Sequence, residues 1–317
     1  MRYRIAVLDL GTNTFNLLIA DMSKEGHSII YNDKKAVKIG EGGISQGLIS
    51  IEAEQRAMEA LTEYNQIIGQ YNVKKIYGYA TSAFRNAVNG KALRDRIKKE
   101  LGISISIISG EKEAEYIYYG VTHALDIGNK PSLIMDIGGG SVEFIIASNK
   151  KAYWKKSFEI GAQRLLSDFH HIDPIPREEI INLESHFLLS LKELLAEVGR
   201  YNVDTLIGSS GSFDTLSEIY CAENNISFDL ESAEFLLDID GYYKIHQELI
   251  RKNKNERLQI PGMIEMRVDM IVVASCLISY ILKTCGIKNI RVSSHSLKEG
   301  MLGLIQNELF YKERISA

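Results

Sequence analysis

A strand-turn-strand pattern occurs twice in this 317-residue chain, and its second copy constrains the fold more than any other feature. The first copy runs Val7-Leu8-Asp9-Leu10-Gly11-Thr12-Asn13-Thr14-Phe15-Asn16-Leu17-Leu18-Ile19-Ala20. The second runs Ile134-Met135-Asp136-Ile137-Gly138-Gly139-Gly140-Ser141-Val142-Glu143-Phe144-Ile145-Ile146-Ala147. Without gaps, Asp9 answers to Asp136, Gly11 to Gly138, Thr14 to Ser141 and Ala20 to Ala147, a constant offset of 127 residues. Each copy reads as a β-hairpin: a buried strand ending in an acid, a tight glycine turn with a hydroxyl, then a second buried strand. Glycine lets backbone N–H groups crowd around an anion, and the hydroxyl adds a donor. A carboxylate repels phosphate, so a strand-end acid suits Mg²⁺, which keeps several waters in its shell. A lone glycine turn between apolar runs is an ordinary hairpin. Two gap-free copies, each with its acid, predict two hairpins that face each other and grip a phosphate chain with its metal.

Length and duplication together predict two domains. With 45% hydrophobic and 25% charged residues the composition is that of a globular protein. A formal charge of −4 excludes a globally basic surface, so duplex nucleic acid is not an expected partner. Cys221, Cys276 and Cys285 lack metal-ligand spacing and read as reduced thiols of a cytoplasmic protein. Met1-Arg2-Tyr3-Arg4 leads straight into a strand, leaving no room for a signal peptide. The longest apolar run, Met270 to Leu282, suits a buried helix rather than a membrane span.

Further along, Ile51 to Tyr71 carries an apolar stripe at helical spacing. Thr81-Ser82 is expected to cap a helix bearing Arg85 in its first turn, where an arginine opposes the helix dipole and so suggests an external anion. Glu111, Glu113 and Glu115 open another helix, where acids suit the dipole. Spacing leaves open which of them points into a site as a general base. Glu159-Ile160-Gly161-Ala162-Gln163-Arg164 is a strand-to-helix turn whose Gly161 and Arg164 either approach a ligand or pack. His170, His171 and Asp173 read as a loop rather than a metal site. Pro176 to Arg200 reads as one amphipathic helix, and Leu230 to Asn253 as a peripheral one. Gly208-Ser209-Ser210-Gly211-Ser212 is a third glycine turn at a helix start, able to bind an anion or merely to turn. Pro261 is expected to open the buried helix that carries Arg267 and Asp269.

Seven motifs in order resemble those of the exopolyphosphatase / guanosine-pentaphosphate phosphohydrolase (Ppx/GppA) family. They are Asp9-Leu10-Gly11-Thr12-Asn13-Thr14-Phe15; Ala80-Thr81 with Arg85; Ile108-Ser109-Gly110 with Glu113-Ala114; Asp136-Ile137-Gly138-Gly139-Gly140-Ser141 with Glu143; Gly208-Ser209-Ser210-Gly211-Ser212; Ile260-Pro261-Gly262; and Leu297-Lys298-Glu299-Gly300. The resemblance implies an α/β two-domain actin-like ATPase (ribonuclease H-like) fold with an interdomain active-site cleft. Residues 1–124 would form the first domain and 125–300 the second, with a C-terminal helix, 301–317, packing back on the first.

It also implies Mg²⁺-dependent hydrolysis of terminal phosphoanhydride bonds in inorganic polyphosphate or pppGpp, with Mn²⁺ as an alternative ion and K⁺ as an accessory one. Glu113 and Arg85 would be catalytic, and Asp9, Asp136 and Glu143 would hold the metal. Gly11, Thr12, Asn13, Thr14, Gly138, Gly139, Gly140, Ser141, Gly208, Ser209, Gly211, Ser212, Arg267 and Lys298 would bind phosphate. The family more often has arginine where Lys298 stands, so a bidentate fork is lost here. Longer members continue into a helical HD-type domain that this chain lacks, so long polyphosphate would be held less processively. Membranes are not expected partners, and a homodimer is compatible with the resemblance. A pppGpp 5′-phosphohydrolase is the second reading, and a non-hydrolytic actin-like nucleotide-binding protein the third.

Overall fold

Both duplicated segments fold as antiparallel hairpins in the computed structural model, which describes residues 3–229 and 231–311. β1 (Tyr3–Leu10) pairs with β2 (Thr14–Met22), and β3 (His27–Ala36) joins outside β2. β4 (Lys75–Ala80) and β5 (Ile105–Ile107) extend the other side in parallel, giving the order β3-β2-β1-β4-β5. β6 (Ser132–Ile137), β7 (Val142–Ser148), β8 (Lys151–Phe158), β9 (Thr205–Ser209), β10 (Glu234–Phe235) and β11 (Asn289–Ser293) form a second sheet. Its order is β10-β11-β9-β6-β7-β8.

Apart from the two-residue edge strand β10, the sheets share one order and one set of strand directions. Even a register shift repeats, between Ile19 and Ala20 in one copy and between Ile146 and Ala147 in the other. The duplication is therefore a property of whole sheets. β6 and β7 are buried at every position, as expected of central strands covered on both faces, whereas edge strand β3 alternates in exposure.

The chain divides into two compact units. One extends through Tyr116 and includes the segment from Leu297 onward; the other is Ile117–Ser296. The first crossing falls inside the helix Gly110–Ala124. In the first unit, the helix Ile51–Gln70 is capped by Ser50 and buries Ala53, Ala57, Leu61, Tyr64 and Ile68, the expected stripe. The helix Leu297–Phe310 buries Met301, Leu302 and Ile305 with Ile5, Val7, Leu18 and Tyr77. The expected continuation of that helix to residue 317 lies outside the described residues. In the second unit, the helix Met270–Thr284 is buried from Met270 through Leu282 within the core. Among the described residues no helix is long and apolar enough to cross a membrane.

Three expected helices differ. Pro176–Arg200 is broken into Arg177–Ser190 and Lys192–Tyr201 by Leu191, whose φ of −104° and ψ of 16° leave the helical region. Residues 231–238 are not helical: Glu234–Phe235 pairs with β11, and Asp238 caps the helix Ile239–Arg251 by accepting from the Gly241 N–H. Leu230 lies outside the described residues. The buried helix begins at Met270, so Arg267 sits in a 3₁₀ turn, Glu265–Arg267, and Asp269 precedes the helix.

Candidate active site

The two glycine turns are closed by the same bond. Gly11 donates its N–H to the Thr14 carbonyl at 3.0 Å, and Gly138 donates to Ser141 at 3.0 Å. The segment downstream of each hairpin fixes the turn's carbonyls. Gly40 and Lys38 donate backbone N–H groups to the Thr12 and Asn13 oxygens at 3.0 and 2.8 Å. In the other copy Ala162 donates to Gly138 and Gln163 to Gly139, at 2.9 and 2.8 Å. The Gly140 oxygen accepts from the Gly161 N–H at 3.3 Å and from Arg164 Nε at 2.9 Å.

These peptides are trans. In a trans peptide the N–H points opposite to the C=O. Holding the carbonyls therefore turns the N–H groups of Asn13 and Thr14, and of Gly139, Gly140 and Ser141, away from their supports. That is the arrangement an oxyanion requires. Gly161 and Arg164 thus support the loop, the packing alternative of the two left open by the sequence.

Each acid stands in a row across its sheet. In the first unit Asp9 lies opposite Asn16, and Asn16 opposite Lys34. In the second, Asp136 lies opposite Glu143, and Glu143 opposite Ser157. Asp136 Oδ2 accepts from Ser209 Oγ at 2.7 Å, and Glu143 Oε1 accepts from Ser157 Oγ at 2.6 Å. Asp9 Oδ2 accepts from Asn16 Nδ2 at 3.0 Å, while its Oδ1 is sealed from solvent with no hydrogen-bond partner. Thr12 Oγ1 is likewise buried and unpartnered.

Burial pushes the Asp9 carboxyl up to about 6, against the Asn16 hydrogen bond and the Lys298 charge. Lys298, in the first turn of Leu297–Phe310, is thereby brought to Asp9, with its Nζ 3.6 Å from Glu299 Oε1. Among the described residues no three His, Cys, Asp or Glu side chains form a metal cage. The donors present suit Mg²⁺, which needs one or two carboxylates and keeps its waters. Within the first unit the unpartnered Asp9 oxygen, and within the second Asp136 opposite Glu143, each fit that requirement.

The cost of the Asp9 charge is measurable. A raised carboxyl pKa means the unfolded chain ionises first, so its destabilising effect develops between about pH 4 and 6 and is complete above 6. Asp9→Asn removes it. Without divalent ions the variant should be more stable than the parent by about 2 kcal/mol at pH 7.5, some 4–8 °C in Tm, and equal to it at pH 4. Thermal melts across pH check this; equal Tm values at pH 7.5 would contradict it.

Burial separates the three glutamates that spacing left open. Glu111 is exposed, and Glu115 pairs with Lys112 at 3.1 Å. Glu113 is only 6% exposed, and its Oε2 accepts from Arg85 Nη1 at 3.0 Å. The same Arg85 nitrogen donates to the Ile108 carbonyl at 3.1 Å. Arg85 is not in the first turn of a hydroxyl-capped helix: Ser82–Asn86 is five residues long, the Thr81 side chain makes no capping bond, and Arg85 lies in the last turn. In so short a helix the dipole argument has no force, and the anion that Arg85 meets is Glu113.

In the second unit, Ser209 ends β9 and Ser210 takes φ 70° and ψ 176°, a conformation essentially reserved for glycine. Gly211 then opens the helix Gly211–Glu223, with Ser212 buried behind it. The Arg267 guanidinium lies directly on Gly211, where a Cβ would stand 2.2 Å from Nη2. Burial draws the Arg267 pKa below its usual value, opposed by the fields of Asp214 and Asp136.

The expected site residues thus gather as two sets. Asp9, Gly11–Thr14, Arg85, Glu113 and Lys298 belong to the first unit. Asp136, Gly138–Ser141, Glu143, Gly208–Ser212 and Arg267 belong to the second. Asn16, Lys34 and Ser157 complete the acid rows but were not singled out from sequence. The ungapped duplication, which sets Asn16 against Glu143, held the signal for the first of them.

The sequence profile of the Ppx/GppA phosphatase family matches residues 18–307. The chain is 27% identical over 314 residues to exopolyphosphatase 2 of Mycobacterium tuberculosis, covering 94% of this chain and 97% of that protein. It is 28% identical to a guanosine-5′-triphosphate,3′-diphosphate pyrophosphatase of Pseudoalteromonas translucida, covering 96% of this chain but only 59% of that relative's length. A crystal structure of an exopolyphosphatase from Cytophaga hutchinsonii is 41% identical and superposes with a TM-score of 0.92 over 96% of this chain and 98% of that one. The duplicated α/β sheets are those of the expected actin-like ATPase fold class.

Proposed function

Because the chain belongs to the Ppx/GppA phosphatase family, hydrolases of phosphoric anhydride bonds, we propose that it is an exopolyphosphatase. It removes terminal orthophosphate from inorganic polyphosphate by in-line attack of water. The observation that carries this reading is the pair of glycine turns whose carbonyls are held inward and whose N–H groups face out, each beside a strand-end acid. Phosphoryl transfer needs positioning and charge stabilisation more than a covalent nucleophile, and these parts supply both.

The turn N–H groups bind non-bridging phosphate oxygens, and Arg267 and Lys298 add positive charge. Glu113 orients a water and takes its proton. Arg85, paired with Glu113 before substrate arrives, meets the charge developing on the equatorial oxygens. Asp9 within the first unit, and the Asp136–Glu143 pair within the second, are the carboxylates each unit would offer to Mg²⁺, which when bound would supply positive charge to the phosphates.

The Mycobacterium tuberculosis and Cytophaga hutchinsonii relatives, matched along 97% and 98% of their length, are named exopolyphosphatases, which favours polyphosphate. The guanosine-pentaphosphate relative keeps pppGpp hydrolysis as the second reading. Phosphate release with Mg²⁺ from long polyphosphate, tripolyphosphate, pppGpp and ATP, assayed in parallel, separates them. Polyphosphate should lead pppGpp in kcat/KM by tenfold or more; the reverse order would establish the second reading.

A further inference from the structure

Among the described residues Arg257 is the largest fully buried side chain, 1% exposed, and hydrolysis as described gives it no task. It lies in the short helix Lys254–Arg257. Its Nη1 donates to Asp173 Oδ1 and to the Lys252 carbonyl, each at 2.6 Å. Nη2 reaches Asp173 Oδ2 at 3.3 Å, and Nε donates to the Val268 carbonyl at 3.0 Å. Asp173 Oδ2 also takes the Lys254 N–H at 2.6 Å, and Lys254 Nζ donates to Asp269 Oδ2 at 2.7 Å. His170 Nε2 stands 3.3 Å from Asp173 Oδ1.

The residues that this pair joins are the supports of two glycine loops. Asp173 follows the helix Ala162–Phe169, whose first residues hold the Gly138–Gly140 carbonyls. Val268 follows Arg267, whose guanidinium lies on Gly211 of the other loop. A planar fork that saturates a carboxylate and fixes two carbonyls leaves little freedom to either segment.

We infer that the Arg257–Asp173 pair is a positioning device: it sets the Gly138–Ser141 loop and Arg267 in one fixed relation, so that both meet the same phosphate chain. The inference rests on the phosphate-binding role proposed for Arg267. Arg257 is buried while the Asp173 side chain is 31% exposed; a purely structural ion pair would affect folding alone, and apolar replacement keeps the buried side of the pair filled without leaving a lone buried charge.

The test is the double variant Arg257→Met/Asp173→Leu in the full chain, beside Arg267→Ala and the combined triple variant. Phosphate release from tripolyphosphate with Mg²⁺ is measured after a thermal melt confirms folding. Arg267→Ala should lower kcat/KM by about thirtyfold or more, the scale of a lost charge-assisted contact, mainly through KM. The double variant should lose at least about tenfold, again through KM. The triple variant should fall within about twofold of Arg267→Ala, because groups that act as one unit are not additive.

If the double variant does not fold, Arg257→Lys, which keeps the charge but gives up the fork, takes its place in the same comparison. A folded variant with unchanged KM, or losses that multiply in full, would overturn the inference while leaving the role of Arg267 intact. No loss in Arg267→Ala would remove that role, and the inference with it.

Discussion

Glu113→Gln should lower kcat by about 10²–10⁴ while KM for tripolyphosphate stays within about threefold, the usual worth of a general base. The substitution is nearly isosteric, and the amide oxygen can still accept from Arg85, so what is lost is the ability to take a proton. Glu111→Gln and Glu115→Gln are the internal controls. Glu111 is exposed and Glu115 is engaged with Lys112, so both variants should remain within about threefold of the parent. The pairing with Arg85 at 3.0 Å adds a condition. That bond holds the carboxylate in place, so the variant must keep an acceptor there, as the amide does. Phosphate release at saturating tripolyphosphate measures all three variants. Unchanged turnover in Glu113→Gln, or equal losses in the three, would contradict the assignment.

Gly161→Ala should remove about 1–3 kcal/mol of stability and about 10²-fold of kcat/KM. A Cβ at this position would stand 2.4 Å from the Gly140 carbonyl carbon and 2.5 Å from the carbonyl carbon and oxygen of Gly139. Those neighbours are backbone atoms of the Gly138–Ser141 turn, so relief requires the turn itself to move. A shift of that kind re-aims the N–H groups of Gly139, Gly140 and Ser141. Gly199→Ala is the contrast. It lies in the helix Lys192–Tyr201, where an added Cβ would meet no atom within 4 Å, and it should stabilise by about 0.5–1 kcal/mol without touching activity. Thermal melts and kcat/KM for the two variants check the pair; an active, fully stable Gly161→Ala would show that the loop does not need its support.

The hairpins were legible in the sequence because alternation, glycine and a constant offset all act locally. The 127-residue spacing extends even to the register shifts at Ile19/Ala20 and Ile146/Ala147. The sequence could not reveal partners chosen by tertiary contact. Arg85 reads as a residue awaiting an external anion until the fold brings it to Glu113, 28 positions away. Spacing also could not rank Glu111, Glu113 and Glu115, since burial of one helix face ranks them. The break at Leu191 leaves no proline or glycine as a mark. There Leu191 and Leu194 are both buried, and packing outweighs helix propensity. Gly161 was visible, but the sequence showed no more than a close approach, because its contact is another loop's backbone.

The most direct measurement of the central claim is hydrolysis of long-chain polyphosphate in ¹⁸O-water with Mg²⁺, following the label in each product by mass spectrometry. Water attack on the terminal phosphorus predicts one solvent oxygen in every released orthophosphate and none in the shortened chain, with both products vanishing together in Glu113→Gln. Label in the shortened chain, or folded protein that releases no orthophosphate from polyphosphate, would contradict the account.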